Sequence, residues 1–196
     1  MRLRDIQKEE SISAMAVQIA VEEGLDGLTM NKLAKAAGVS PATIYIYFKD
    51  RDDMLLQVAI REEQKMFSET LEGFDPEMSF EDGLRHQWEK RAAYFMADPY
   101  RLRFMEQLKN TRFHEEVRKC GQSYSSVLKQ FMLNAIANKQ LRPLTLEVYW
   151  ALAYAPLYRL IKFHLNKKGM MGRTFQLNKA DFEEALSIVL KGLRPD

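Results

Sequence analysis

Apolar side chains recur at helical spacing along almost the whole chain, and no other feature constrains the fold as much. Ile12, Met15, Ala16, Ile19 and Ala20 form one stripe, ended by Gly24 and Gly27. Met30, Leu33, Ala34 and Ala37 form a second, with Thr29 placed to cap it and Gly38 at its C-terminal turn. Ser40 offers another cap ahead of Pro41, whose missing N–H is harmless at a first helical position, and a short third helix to about Tyr47 is predicted. Asp50 and Asp53 open a long fourth helix toward Leu71. Phe80, Leu84, Trp88, Ala92 and Phe95 mark a fifth, and Asp98-Pro99 starts a short element ending near Asn110. Phe113, Val117, Cys120, Tyr124, Val127, Phe131 and Met132 predict one long helix through about Asn138, which Pro143 ends. Helices over about 144–165 and 179–193 complete the chain. Strand-type alternation is nearly absent, so the expected fold class is all-α.

Composition narrows the functional classes. Of 196 residues 46% are hydrophobic and 29% charged, enough apolar material for a core, which excludes a disordered chain. The single Cys120 cannot form an internal disulfide, so a reducing, cytoplasmic setting is expected. The stretch Met1-Arg2-Leu3-Arg4-Asp5 runs into Lys8-Glu9-Glu10 without the apolar segment of an export signal. The longest apolar run, Val148 to Tyr158, contains Pro156 and falls well short of the ~20 residues that span a bilayer, so no membrane partner is expected. His86, His114 and His164 lack metal-ligand spacing, and no P-loop, GxSxG or GxGxxG motif occurs. The expectation is a protein that is not an enzyme and has no metal or cofactor.

Function concentrates in residues 28–48, LTMNKLAKAAGVSPATIYIYF: two short helices joined by a tight turn, a helix-turn-helix pattern whose second helix is the candidate for a DNA major groove. At about 100° per residue, Ile44 and Phe48 share that helix's buried edge, and Leu33, Ala34 and Val39 are read as packing. Ala42 and Ile46 lie opposite, flanked by Thr43, Tyr45 and Tyr47. These five outward groups are small, apolar or hydroxyl-bearing, on a helix with no charge of its own. Apolar groups suit thymine methyls, hydroxyls reach bases or phosphates, and Lys49 and Arg51 just beyond can neutralise phosphates. Over 28–51, Lys32, Lys35, Lys49 and Arg51 stand against Asp50 alone. A larger basic excess over 139–175 lacks helix-turn-helix spacing and is read as a solvated face and loop.

The stretch to about Leu55 resembles the DNA-binding domain of TetR-family transcriptional repressors. The resemblance rests on a three-helix start, the Gly38-Val39-Ser40 turn, and Ile44-Tyr45-x-Tyr47-Phe48-Lys49 running into Asp53-Met54-Leu55. It implies base or backbone contact by Tyr45 and phosphate contact by Thr29, Tyr47, Lys49 and Arg51. Asn31, and Pro41 with Ala42, depart from side chains common in the family, so the operator sequence is left unread. The DNA-binding candidates are Thr29, Asn31, Lys32, Ser40, Pro41, Ala42, Thr43, Tyr45, Ile46, Tyr47, Lys49 and Arg51. The expected organisation is a helix-turn-helix domain over residues 1–50 and a helical ligand-binding and dimerisation domain over 51–196. The alternative is an all-helical protein-interaction module whose helix-turn-helix is only structural.

In the second part, the resemblance implies a pocket for a small inducer, with Trp88, Tyr124, Phe131, Trp150 and Tyr154 as candidate lining. The helix over 144–165, drawn as one straight cylinder, is apolar around about two thirds of its circumference, more than a one-sided surface helix needs. That excess points to burial on two sides, by the chain's own core and by a second copy. Tyr149, Leu152, Pro156 and Leu160, with Phe182, Leu186, Val189 and Leu193 of the last helix, are the expected homodimer residues. Such a dimer supplies the second recognition helix that a palindromic operator requires.

Overall fold

Side-chain caps set where many helices of this chain begin. The computed structural model describes residues 6–109 and 111–195, so the charged start over 1–5 and the element end expected near Asn110 lie outside it. The α-helices are α1 (Ile6–Glu23), α2 (Met30–Ala36), α3 (Pro41–Tyr47), α4 (Arg51–Leu71), α5 (Phe80–Ala97), α6 (Pro99–Leu108), α7 (His114–Cys120), α8 (Gln122–Ala137), α9 (Leu146–Ala153), α10 (Ala155–Leu165) and α11 (Lys179–Leu193). No strand occurs among the described residues, and the fold is all-α as expected. Thr29, Ser40, Ser79, Thr145 and Asn178 each accept a hydrogen bond from the backbone N–H three residues on. Each such cap is worth about 1 kcal/mol.

Two helices expected to be continuous are each broken in two. The stripe from Phe113 to Met132 is interrupted at Gly121, whose N–H closes α7 on the carbonyls of Val117 and Arg118 before α8 begins. Glycine inside a helix costs about 1 kcal/mol relative to alanine, so this is where the stripe yields. The helix expected over 144–165 breaks at Tyr154, which takes φ −119°. Pro156 has no N–H for the Leu152 carbonyl, and its ring crowds the turn before it.

Packing groups the chain into two compact units. The first takes the chain up to Lys65 together with Pro99–Gly121, and the second takes Met66–Asp98 with the chain from Gln122 on. In the first unit, Ile12, Ala16, Leu28, Leu33, Ile44, Phe48 and Leu55 are buried with Phe104, Leu108 and Val117 of α6 and α7 in one core. Glu9, itself buried, pairs with Arg61. In the second unit α5 packs against α8 and α10, and α9 against α10 and α11. Trp88, Phe95, Phe131, Leu157, Ile161 and Leu186 are buried there, and the Trp88 indole N–H donates to the Ala153 carbonyl at 2.7 Å. α4 is one continuous helix that contributes residues to both units.

Candidate nucleic-acid interface and ligand cavity

The turn between α2 and α3 is built by backbone hydrogen bonds that require a left-handed residue. Gly38 supplies it at φ +63°, which glycine adopts without a Cβ penalty. The Gly38 N–H then donates to the Lys35 carbonyl at 3.3 Å and the Val39 N–H to Ala34 at 3.0 Å, a Schellman ending for α2. Ser40 starts α3 two residues later: its hydroxyl accepts from the Thr43 N–H at 3.2 Å and lies 3.0 Å from the Thr43 hydroxyl. α4 opens on a reciprocal pair. The Asp50 carboxylate accepts from the Asp53 N–H at 2.9 Å, and the Asp53 carboxylate from the Lys49 N–H at 2.7 Å.

This frame fixes which way α3 faces. Ile44, Tyr47 and Phe48, an i, i+3, i+4 set, are buried at 0%, 7% and 1%. Pro41, Ala42, Tyr45 and Ile46 are exposed, Tyr45 by 56% and Ile46 by 54%, with Lys49 one turn on and Asn31 exposed on α2. The outward face carries no acidic side chain.

Four expected DNA contacts stand differently in the structure. Tyr47 is a core residue, because one turn from Ile44 it falls on the buried stripe, not beside Ile46. Thr43 is half-buried, with its hydroxyl against Ser40. Lys32 is ion-paired with Glu23 at the end of α1. Arg51 turns back from the first turn of α4: its Nε donates to the Leu28 carbonyl at 2.9 Å and its Nη2 to Leu25 at 2.6 Å, beside the Asp26 carboxylate at 3.1 Å. That guanidinium holds the loop leading into α2. Lys35, exposed on the last turn of α2, was absent from the candidates although its charge was visible in the sequence.

The second unit contains an open cavity of about 430 Å³. Phe67, Leu128, Leu146, Tyr149, Trp150 and Tyr154 give it apolar and aromatic walls, and Ser125, Lys129 and Glu147 also line it. Of the expected lining residues, Trp150 and Tyr154 are present. Trp88 and Phe131 are buried in packing instead, Trp88 edge-on to Phe182 and Phe131 against Phe74 and Phe80. Tyr124 stacks flat on Phe67 at 5.2 Å, behind a wall residue. Burial raises the Tyr149 phenol well above its ordinary pKa and raises that of Tyr154, so both hydroxyls stay protonated.

The model of the family described as bacterial regulatory proteins, tetR family, matches residues 12–58, which contain every element of the helix-turn-helix frame. Residues 12–58 thus match the TetR family. Over 99 residues it is 39% identical to an HTH-type transcriptional regulator of Haemophilus influenzae, covering 50% of this chain and 52% of that protein. The chain thus spans about half or less of the length of the curated relatives it matches. A TetR-family regulator from Marinobacter aquaeolei superposes with a TM-score of 0.88 at 22% identity over 100% of both chains. FadR of Bacillus subtilis, solved with stearoyl-CoA, gives 0.76 at 17% identity over 95% of this chain and 100% of its own. At these identities the likeness is one of fold.

The expected dimer residues divide. Tyr149, Leu186 and Leu193 are buried at 0–1% in the chain's own second unit and offer nothing to a partner. Pro156, Leu160, Phe182 and Val189 are partly exposed, and Leu152 is 48% exposed. Ile188, 62% exposed on α11, was not among them. Tyr149 on α9 and Leu186 and Leu193 on α11 face the packing among α9, α10 and α11, which helical spacing alone does not separate from an intersubunit face.

Proposed function

We propose that this TetR-family chain is a cytoplasmic, ligand-responsive transcriptional repressor that binds a palindromic operator as a homodimer and releases it when a small apolar or aromatic inducer binds. The supporting observation is the uncharged, exposed face of α3, which presents Tyr45 and Ile46 to solvent on a rigidly capped frame while Ile44, Tyr47 and Phe48 anchor it. A helix facing only water would seldom place two large apolar or aromatic groups side by side; a major-groove helix uses such groups on thymine methyls and base edges. Residues 1–50 act as the reading domain. Thr29, Asn31, Ser40, Pro41, Ala42, Tyr45, Ile46 and Lys49 form the DNA face, with Thr43 at its edge.

Residues 51–196 act as the sensing and pairing domain. Leu152, Pro156, Leu160, Phe182 and Val189, extended by Ile188, meet a second copy. A cavity with aromatic walls supports a small-molecule inducer, as does the stearoyl-CoA bound by the structurally similar FadR. α4, contributing to both units, is the element through which ligand binding reaches the reading heads. A coupling of about 1–3 kcal/mol gives a 5–150-fold loss of operator affinity, and operator must weaken ligand by the same factor.

The test is fluorescence anisotropy on the protein's own upstream intergenic DNA. Tyr45→Ala is expected to reduce discrimination between specific and scrambled duplexes by about 1–3 kcal/mol. Undiminished affinity and sequence preference in that variant would remove Tyr45 from the reading face.

A further inference from the structure

Arg91 lies fully buried in α5, at 0% exposure, on the same helical stripe as Leu84, Trp88 and Phe95. Its Nη1 donates to the Tyr158 hydroxyl at 2.7 Å and its Nε to the Gln87 side-chain oxygen at 3.2 Å. Gln87 is held for this by its own amide, which donates to the Thr70 carbonyl at 2.8 Å. Nη2 has no partner, and no carboxylate of the described residues pairs with the guanidinium. A guanidinium does not deprotonate in a protein, so this is a permanent buried cation without a counter-charge.

The surroundings compensate it only in part. Its Cζ sits 5.0 Å from the Tyr154 ring centroid and 5.6 Å from that of Trp150. The electron-rich faces of these rings attract the cation. Those same two rings line the cavity, and with Tyr149 they bring two more buried polar atoms to it. The Tyr149 and Tyr154 hydroxyls are buried beside one another and interact, and neither has a further hydrogen-bond partner. An unpaired guanidinium donor and two phenol hydroxyls with no partner beyond each other thus gather behind one wall of a cavity that is otherwise largely apolar. A buried polar group left unpaired is costly, and an unpaired guanidinium donor beside two phenol hydroxyls calls for an acceptor that carries negative charge.

We propose that the cavity is a site for an amphipathic anion: its carboxylate is received by Arg91 Nη2 and the Tyr149 and Tyr154 hydroxyls, and its apolar body lies along Phe67, Leu128, Leu146 and Trp150. The anion reaches Arg91 by parting the Trp150 and Tyr154 rings, which stand 4.6 Å apart between centroids. Lys129 and Glu147, both exposed at the lining, oppose one another in charge and leave the selection to Arg91. This site rests on the reading of the chain as an inducible regulator only for its purpose, not for its chemistry.

The experiment titrates the full-length chain with decanoate, following tryptophan emission and melting temperature, with decanol and decylammonium as neutral and cationic probes of equal length. Decanoate is expected to bind about 10–100-fold more tightly than decanol, and decylammonium more weakly than either. In Arg91→Met the preference for decanoate is lost while the ligand-free protein melts at the same or a higher temperature, because an unneutralised buried charge has been replaced by an apolar chain of similar length. Tyr149→Phe with Tyr154→Phe reduces the preference without removing the cation, and decides the matter if Arg91→Met does not fold. Equal affinity for decanoate and decanol in the wild type, or a preference that survives these substitutions, overturns the anionic site. Operator release is read separately by anisotropy. Arg91-dependent binding that leaves operator bound keeps the site and refutes induction; release by decanol as effective as by decanoate keeps induction and refutes the anionic head.

Discussion

Arg51 offers the sharpest test of how the reading domain is held together. A basic side chain just past a recognition helix suggests a phosphate anchor, yet its guanidinium donates to the Leu28 and Leu25 carbonyls at 2.9 and 2.6 Å, and its side chain is only 33% exposed. Hydrogen bonds from a charged donor contribute roughly 1.5–3 kcal/mol each when desolvated. Partial exposure weakens both here, and the contact to the exposed Asp26 adds close to nothing. About 2 kcal/mol of stability should therefore be lost in Arg51→Ala. Arg51→Lys should lose most of it as well, because an ammonium cannot reproduce the fork that reaches both carbonyls. Urea midpoints give the stability change, and operator binding over a salt series gives the number of phosphate contacts. A phosphate contact removed flattens the slope of log K against log salt by about 0.9. Lys49→Ala should show that change with stability intact, and Arg51→Ala the opposite pattern. Full stability in Arg51→Ala with a slope flattened like that of Lys49→Ala would refute the clamp.

Three other outcomes follow from the structure. Tyr47→Ala removes a side chain buried to 7% from the stripe under α3 and should cost about 3 kcal/mol in urea unfolding; a loss of operator affinity without a loss of stability would return Tyr47 to the DNA face. Ile188→Asp places a charge on the exposed face of α11 and is expected to convert a micromolar dimer to monomer by light scattering; a wild-type monomer without DNA, or an unchanged dimer in the variant, would exclude this face. Burial raises the Tyr149 and Tyr154 phenols above their ordinary 10.0, so the folded chain keeps protons that the unfolded chain releases above about pH 10. Stability contributed by these groups is intact below that pH and falls above it. Tyr149→Phe with Tyr154→Phe should flatten the alkaline fall in melting temperature, and an identical fall would show that other groups cause it.

Much of the fold was legible because local chemistry and periodicity agree. Thr29 and Ser40 cap the helices their positions predicted, Gly38 takes the left-handed turn, and Asp50 with Asp53 opens α4. What was not legible depends on partners distant in sequence. Nothing in the spacing near Lys32 or Arg51 announces that Glu23 and the Leu25 and Leu28 carbonyls will claim them. Nor does any local pattern say that α6 and α7, from beyond residue 98, pack into the first unit. The cavity was half legible: Trp150 and Tyr154 were named as aromatics, whereas Leu128 and Leu146 look like any other core leucine. Arg91 carried a readable signal, a charge on an apolar stripe, that aromatic counting passed over.

The break at Tyr154 ties these strands together. Trp150 and Tyr154, four residues apart, share one face of α9, and the break there, just ahead of Pro156, starts α10 on a new axis. Because the helix stops and restarts, Tyr154 leaves regular geometry at φ −119° and stands edge-on to Tyr149 at 5.9 Å and against Trp150 at 4.6 Å. α10 then presents Tyr158 to Arg91 from the far side of the break. The guanidinium is thereby enclosed by residues from both segments: rings from the α9 side and a hydroxyl from α10. The junction of α9 and α10 is thus where rings from one helix and a hydroxyl from the next meet around a buried cation. A ligand entering between Trp150 and Tyr154 would act directly on the junction of α9 and α10, and both helices also pack against α11, which carries the proposed dimer residues. Ligand binding and the proposed subunit pairing would then meet at one joint within the second unit.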